Sequence, residues 1–132
     1  MSQIKLSNRP LSPHLQIYRP MLSTAISILH RITGVALALG MIMLVWWLIA
    51  ASISTPYFEF VNGLFSCWIG RIFLLGFTWA LLHHMLGGLR HFVWDMGQGF
   101  ALNKVEWLAR ANVIGSLALT LLIWIIAYGV RA

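Results

Sequence analysis

Three long runs without a charged residue constrain this chain more than any other feature. They cover residues 32–58, 72–89 and 111–130, so they are 27, 18 and 20 residues long. A helix needs about 20 apolar residues to cross the hydrocarbon core of a bilayer. Sixty per cent of the residues are hydrophobic and only 9% are charged, against roughly 25% charged in soluble domains. The sequence therefore predicts an all-α integral membrane protein with three transmembrane helices.

Residues that commonly start or end helices set the expected bounds of these three helices. We expect them at about residues 22–52, 64–95 and 105–130 of a single membrane-anchor domain that covers residues 1–132. Serines and threonines mark the start of the first helix, and the segment STPYFEFVNG interrupts the pattern with a proline and a glycine. Residues 1–21 are expected to form a polar N-terminal arm on the cytoplasmic side, with prolines where a signal peptide would be apolar.

Basic residues are distributed unevenly around the three helices. Seven of the nine lysines and arginines fall on the side of the N-terminus, and only Arg71 and Arg131 fall on the other. Because cytoplasmic loops are enriched in lysine and arginine, we expect the N-terminus in the cytoplasm and the C-terminus outside. The net charge of +6 indicates contact with anionic lipid headgroups and not with nucleic acid, since the basic residues flank apolar runs.

A polar stripe marks the cytoplasmic end of the first helix. Residues three, four and seven apart share a helix face, so the stripe comprises Ser23, Ser27, His30, Arg31 and Gly34. An ionisable residue inside the membrane costs about 3 kcal/mol on insertion scales and usually lines a cavity or meets a partner. A hydroxyl one turn from a guanidinium suits a quinone carbonyl or a propionate. The alternative is that Arg31 extends to the headgroups and the serines bond to the helix backbone.

The second helix ends in HHMLGGLRHFVWDMG, which contains three histidines. His84, Gly88, His91 and Asp95 share one face, while His83 is rotated about 100° away. We expect the His84 face to point into the protein interior, because a lipid-facing histidine is costly. The pattern favours haem b with an imidazole as axial ligand. The alternative is a helix-packing face whose histidines form hydrogen bonds across the interface.

A second axial ligand is not obvious within this chain. His84 and His91 lie seven residues apart, so they are separated by about 10 Å along the helix axis and cannot hold one iron between them. His30 is the other histidine at comparable depth in the membrane. A six-coordinate haem therefore needs its second ligand from another helix or from another chain.

Two motifs resemble those of the cytochrome b556 membrane-anchor subunits of succinate dehydrogenase, respiratory complex II. One is RPLSPHLQIYRPMLSTAISILHRITG, in which the SPHLQIYRP arm leads into S-x-x-H-R-x-[ST]-G. The other is H-x-x-x-G-x-R-H-x-x-x-D. The resemblance covers nearly the whole chain. It implies a second haem-binding membrane-anchor subunit as a partner, with a flavoprotein and an iron–sulfur subunit held on the cytoplasmic or matrix face.

The resemblance also implies roles for single residues. His84 matches the axial ligand of the haem iron, whose second ligand comes from the partner anchor, and Ser27 and Arg31 match the quinone site. His30 and Arg31 match positions beside the haem propionates. His91 and Asp95 match supporting residues. His83 departs from the family, in which an aromatic or apolar residue is common here, and in principle it competes with His84 for iron.

The function implied by the resemblance is that of an anchor in succinate:quinone oxidoreductase, which transfers electrons from succinate to ubiquinone. Succinate oxidation itself is expected in other subunits, because this chain has one cysteine and no nucleotide-binding motif. The isolated chain is then an electron-transfer subunit without catalysis of its own. The expected location is the bacterial inner membrane, or alternatively the mitochondrial inner membrane. Two other functions fit the residues: the anchor of a fumarate reductase and a haem-free assembly subunit.

Overall fold

The structure is a computed structural model that describes residue 17 and residues 19–130. Its four helices are α1 (Leu22–Ile53), α2 (Thr55–Ser66), α3 (Trp68–Asp95) and α4 (Leu102–Gly129). Three of them, α1, α3 and α4, are long and apolar enough to cross a membrane. The described residues contain no strand, which confirms the prediction of an all-α chain with three candidate spans. Most of the expected N-terminal arm, residues 1–21, lies outside the described residues, as does Arg131.

The segment between the first two spans is a helix and not the irregular interruption that its composition indicates. Ser54 ends α1 in an extended conformation, and its hydroxyl accepts a hydrogen bond from the Tyr57 backbone N–H at 3.4 Å. Pro56 lies in the first turn of α2, where the missing N–H of proline has no helical partner to lose. The proline that interrupts one helix therefore helps to begin the next. With 12 residues, α2 is too short to cross the bilayer.

Side-chain contacts attach α2 to the end of α1. The indole N–H of Trp46 donates to the Tyr57 hydroxyl at 2.8 Å, and that of Trp47 donates to the Asn62 side-chain carbonyl at 3.5 Å. Val61 is fully buried beneath them. Tryptophan and tyrosine are enriched at the bilayer surface in membrane proteins, so these contacts are typical of a short helix at the membrane interface.

The helices α1 and α3 pack against each other in opposite directions. Gly40 on α1 lies against the Phe77 ring, whereas His30, nearer the start of α1, lies against Gly87, nearer the end of α3. In both pairs the glycine removes the side chain that would otherwise occupy the space of the opposing ring. The two close approaches fix the register of α1 on α3.

The helix α4 returns along α3, again in the opposite direction. The Ser116 hydroxyl lies 3.5 Å from Nδ1 of His83, and Trp124 donates to the Thr78 hydroxyl at 3.3 Å. The intervening turn contains two glycines with positive φ, at positions 97 and 99, where a side chain would be strained. The antiparallel order of the three candidate spans leaves the start of α1 and the end of α4 at opposite ends of the bundle.

Candidate functional site

His83 and His84 are neighbours on α3 but lie in different surroundings. His83 is fully buried between α3 and α4, whereas His84 is half-buried at the contact between α3 and α1. We call His84 and the polar residues around it the rim cluster, which comprises His30, Thr33, His84 and His91. We call His83 and the polar residues around it the interior cluster, which comprises His83, Arg90, Asn112 and Ser116.

The imidazole of His84 has one nitrogen fixed by the protein. Its Nδ1 lies 3.0 Å from the backbone carbonyl oxygen of His30 and 3.4 Å from the hydroxyl oxygen of Thr33. A carbonyl oxygen can only accept a hydrogen bond, so Nδ1 carries the hydrogen and Nε2 keeps its lone pair. This tautomer is the one that a histidine needs in order to bind a metal ion through Nε2 while its other nitrogen is oriented by the protein.

His30 packs face to face on His84. The two ring centroids lie 4.0 Å apart with an angle of 8° between the planes, and Nε2 of His30 donates to the backbone carbonyl of His84 at 3.1 Å. Two axial ligands must approach an iron from opposite faces of the macrocycle, with their nitrogens pointing at each other through the metal. Stacked rings cannot do so. In this arrangement His30 is therefore not the second ligand to an iron bound by His84.

The outer part of the rim cluster is open. His91 is exposed and lies with its ring centroid 5.3 Å from that of His30, and Asp95 further along the same face is also exposed. A Cβ added at Gly88 meets nothing within 4 Å. The expectation that the His84 face points into the interior fits His84 itself, which packs against α1, but not His91 and Asp95, which are exposed because α4 packs on the neighbouring face of α3. An open face with fixed polar groups is a surface that a partner or cofactor can cover.

Ser27 and Arg31 lie one turn apart near the start of α1. Ser27 is half-buried and Arg31 is exposed. Several hydroxyls in the described helices bond back to a carbonyl of their own helix, namely those of Thr33, Ser52, Thr78, Ser116 and Thr120. Ser27 is not among them. Its hydroxyl is therefore available to a ligand, together with the guanidinium one turn away.

His83 is enclosed and cannot reach a flat cofactor. Its ring lies 5.3 Å from that of Trp79, and Ser116 of α4 approaches Nδ1. Its Nε2 is buried and has no hydrogen-bond partner among the described residues. A macrocycle would have to separate α3 from α4 to contact this nitrogen. In this chain the burial of His83 therefore sets it apart from His84, with which the sequence leaves it in competition for iron.

Arg90 is a residue whose position the sequence interpretation missed. We counted it among the basic residues that flank the spans, but it is only 3% exposed and lies inside the helix bundle. None of its three side-chain nitrogens has a hydrogen-bond partner in the part of the chain that the structure describes, and its Cζ lies 4.8 Å from the centre of the Trp94 ring. The available signal was its spacing, since Arg90 follows His83 by seven residues and therefore shares its helix face.

Polar residues of α4 complete the interior cluster and were likewise not predicted. Asn112 is 4% exposed with both side-chain amide atoms unpartnered, and Ser116 and Thr120 follow it at intervals of four residues. This spacing places the three on one helix face, which is the signal that identifies them. Small and polar residues are common where membrane helices meet, so this face explains how α4 packs on α3.

The described residues provide no site for a bare metal ion. No group of three or more histidine, cysteine, aspartate or glutamate side chains lies close enough to hold one in that part of the chain. An iron that arrives within a macrocycle brings its equatorial ligands with it, so one histidine of the chain is enough. The donor set of the rim cluster fits such a group and not a bare metal ion.

Comparisons with known proteins agree with this chemistry. Residues 5–127 match the family model described as the succinate dehydrogenase/fumarate reductase transmembrane subunit. The chain is 41% identical to the succinate dehydrogenase cytochrome b556 subunit of Paracoccus denitrificans, over 97% of this chain and 98% of that protein. It is also 41% identical to the subunit of the same name from Rickettsia prowazekii, over 95% and 100% of the two chains. The cytochrome b560 subunit of Marchantia polymorpha is 39% identical over 74% and 75%. The chain therefore belongs to the family of succinate dehydrogenase and fumarate reductase transmembrane subunits.

Proposed function

We propose that this chain is the membrane anchor of a succinate:quinone oxidoreductase, in which it binds one haem b jointly with a second anchor subunit and forms part of a ubiquinone-reduction site. The observation that carries the proposal is the geometry of His84. Its Nδ1 is held by a carbonyl of α1 at 3.0 Å, and it lies at an open edge of the bundle. The relatives' names, cytochrome b556 and b560, support haem b as the group bound there.

His84 supplies the axial ligand from this chain. Haem b, when bound, provides a one-electron redox centre within the membrane. Since His30 is stacked on His84 and His83 is enclosed by α4, the second axial histidine belongs to the partner anchor. His30, Arg31 and His91 lie near the same open edge, where Arg31 and His91 would donate hydrogen bonds to the haem propionates and the guanidinium would balance their negative charge.

Ser27 and Arg31 bind the quinone headgroup. The hydroxyl and the guanidinium donate hydrogen bonds to a quinone carbonyl, and the positive charge of Arg31 stabilises the negative charge that develops on that oxygen as the quinone is reduced. Arg31 is exposed in the single chain, which suits a site completed by other subunits. The energetic cost of an arginine near the membrane is then offset within the assembled complex.

The remaining subunits supply the chemistry that this chain lacks. Succinate oxidation needs a flavin, and the electrons need a route through iron–sulfur clusters, for which a chain with one cysteine has no ligands. A flavoprotein and an iron–sulfur protein dock on the side of the membrane that carries the N-terminus. We place that side in the cytoplasm of a bacterium, with the C-terminus outside, or in the mitochondrial matrix if the source is an organelle.

Two neighbouring functions are separated from this one by a purification in mild detergent through a tag on this chain. We expect a flavoprotein, an iron–sulfur protein and a second anchor to co-purify with b-type haem, and the complex to reduce ubiquinone with succinate. A complex that prefers to reduce fumarate with a low-potential quinol is a fumarate reductase. A stoichiometric complex without b-type absorption would contradict the proposal and support a haem-free assembly subunit.

A further inference from the structure

Thr33 is a buried hydroxyl that connects α1 to the imidazole of His84. It is 2% exposed, and its hydroxyl donates to the backbone carbonyl of His30 at 2.9 Å. The hydrogen of that hydroxyl is thus committed to the carbonyl, and the lone pairs of the same oxygen remain free. This oxygen lies 3.4 Å from Nδ1 of His84, so the Nδ1–H of His84 is shared between a carbonyl oxygen and a hydroxyl oxygen.

The ring of His84 is held on its other sides as well. The imidazole of His30 covers one face at 4.0 Å. At the edge of the ring, a Cβ added at Gly34 would lie 3.0 Å from Cε1 of His84, which shows how closely the α1 backbone approaches. The contacts at Nδ1, at the ring face and at Cε1 all come from one stretch of α1. They leave the ring little freedom to rotate.

We propose that Thr33 and the backbone carbonyl of His30 are positioning groups, which fix the orientation and tautomer of the His84 imidazole before iron binds to Nε2. This inference rests on the proposed role of His84 as an axial ligand. Groups that bond the second nitrogen of a ligating histidine determine how well it binds its metal, and their loss typically weakens binding by about 10–100-fold. Fixing the ring in advance also lowers the conformational cost of binding.

Thr120 provides a control for a purely structural role of the hydroxyl. It is 4% exposed, and its hydroxyl donates to the carbonyl of Ser116 in its own helix at 2.7 Å. Thr33 and Thr120 are therefore equally buried threonines that bond to the backbone of a membrane helix. They differ in that Thr33 also approaches a histidine ring.

The test uses the assembled complex with Thr33→Val, Thr33→Ser or Thr120→Val. Two quantities are measured: the rate at which ferric haem transfers from the purified complex to apomyoglobin, and the electron paramagnetic resonance spectrum of its low-spin haem. Thr33→Val keeps the side-chain shape and removes the hydroxyl, so we expect haem loss to be about tenfold faster and the low-spin signal to broaden. Thr33→Ser and Thr120→Val should both resemble the wild type.

The outcomes separate this inference from the proposed function. If Thr33→Val and Thr120→Val have the same haem-transfer rate and the same spectrum, Thr33 has no positioning role. If His84→Leu retains low-spin haem, the iron is bound elsewhere and the proposed function itself fails. Should Thr33→Val not assemble, Thr33→Ala is measured in its place. Failure of both to assemble beside a normal Thr33→Ser would make the hydroxyl a folding requirement and overturn the positioning role.

Discussion

The rim cluster and the interior cluster contain similar residues in different surroundings. Each contains a histidine of α3 near a hydroxyl of another helix, at 3.4 Å for His84 and Thr33 and at 3.5 Å for His83 and Ser116. In the rim cluster the histidine also donates to a carbonyl and lies beside open space. In the interior cluster the histidine is fully enclosed, and its Nε2 has no hydrogen-bond partner within residues 19–130.

The difference shows that burial alone does not identify a ligand site. A metal-binding histidine needs one nitrogen fixed by the protein and the other accessible to the metal. His84 satisfies both conditions because it lies at the edge of the bundle. His83 fails the second condition, because its Nε2 is buried, although its Nδ1 lies 3.5 Å from the Ser116 hydroxyl.

The largest effect should come from exchanging the two histidines for leucine one at a time. In the assembled complex, His84→Leu removes the axial ligand, so the b-type α band in the reduced-minus-oxidised spectrum should disappear. His83→Leu is the matched control and should retain the band at its wild-type intensity per complex. Loss of the band in His83→Leu but not in His84→Leu would instead assign the iron to the interior cluster.

The next largest effect concerns quinone reduction. Ser27→Ala removes a hydrogen bond to a partly charged acceptor, which is worth roughly 1.5–3 kcal/mol or about one to two powers of ten in rate or affinity. Arg31→Leu should cost at least as much, and Arg31→Lys should restore only part of the loss because lysine lacks the planar fork of donors. The measurement is succinate:ubiquinone reductase activity per assembled complex.

An artificial electron acceptor provides the control for these variants. It takes electrons before they reach the membrane, so succinate oxidation with this acceptor should be almost unchanged in all three. Wild-type ubiquinone reductase activity in both Ser27→Ala and Arg31→Leu would remove these residues from the site. It would favour the alternative in which Arg31 only contacts lipid headgroups.

A smaller effect is expected where the rim cluster meets its partner. A Cβ added at Gly88 meets nothing in this chain, and the same is true of Gly76 on the same helix. If a macrocycle or a partner helix covers Gly88, Gly88→Ala should overpack that contact and destabilise the complex by about 1–3 kcal/mol. Thermal dissociation in detergent measures this, with Gly76→Ala as the control. Equal stability of the two variants would indicate that the face at Gly88 stays uncovered.

The smallest effect on stability should follow the removal of a charge from the interior cluster. Within the described residues Arg90 is buried without a hydrogen-bond partner, and even buried ion pairs can often be replaced by hydrophobic residues of similar volume without loss of stability. We therefore expect Arg90→Met to unfold at the same temperature as the wild-type complex or at a higher one. A clear drop in that temperature would mean that the guanidinium binds an acceptor supplied by the assembled complex.

The three candidate spans and the shared face of the polar residues on α1 could be predicted from the sequence for physical reasons. Long uncharged runs have few structures open to them in a bilayer, and the spacing of Ser27, His30 and Arg31 places them on one face of any helix. We did not predict the helix α2, because a proline such as Pro56 within a helical pattern usually ends the helix. The same residue is compatible with the first turn of a new helix.

The orientation of the α3 faces required the structure. Helical spacing shows that His83, Gly87 and Arg90 lie apart from His84, Gly88 and His91, but it does not state which face α4 covers. The cost of an exposed histidine is avoided at His84, which packs against α1, but not at His91, which is exposed in this single chain. Contacts between helices, such as that of His84 Nδ1 with the His30 carbonyl, have no counterpart in local sequence patterns.

The most direct test of the central claim is the spin state of haem in this chain alone and with its partner anchor. The account holds that His84 supplies one axial ligand and the partner chain supplies the other. The subunit expressed alone should therefore bind haem poorly or with five-coordinate iron, and co-expression with the second anchor should produce a low-spin, bis-imidazole spectrum. A low-spin bis-imidazole haem in the isolated chain would contradict the account, because both ligands would then come from the histidines of this chain.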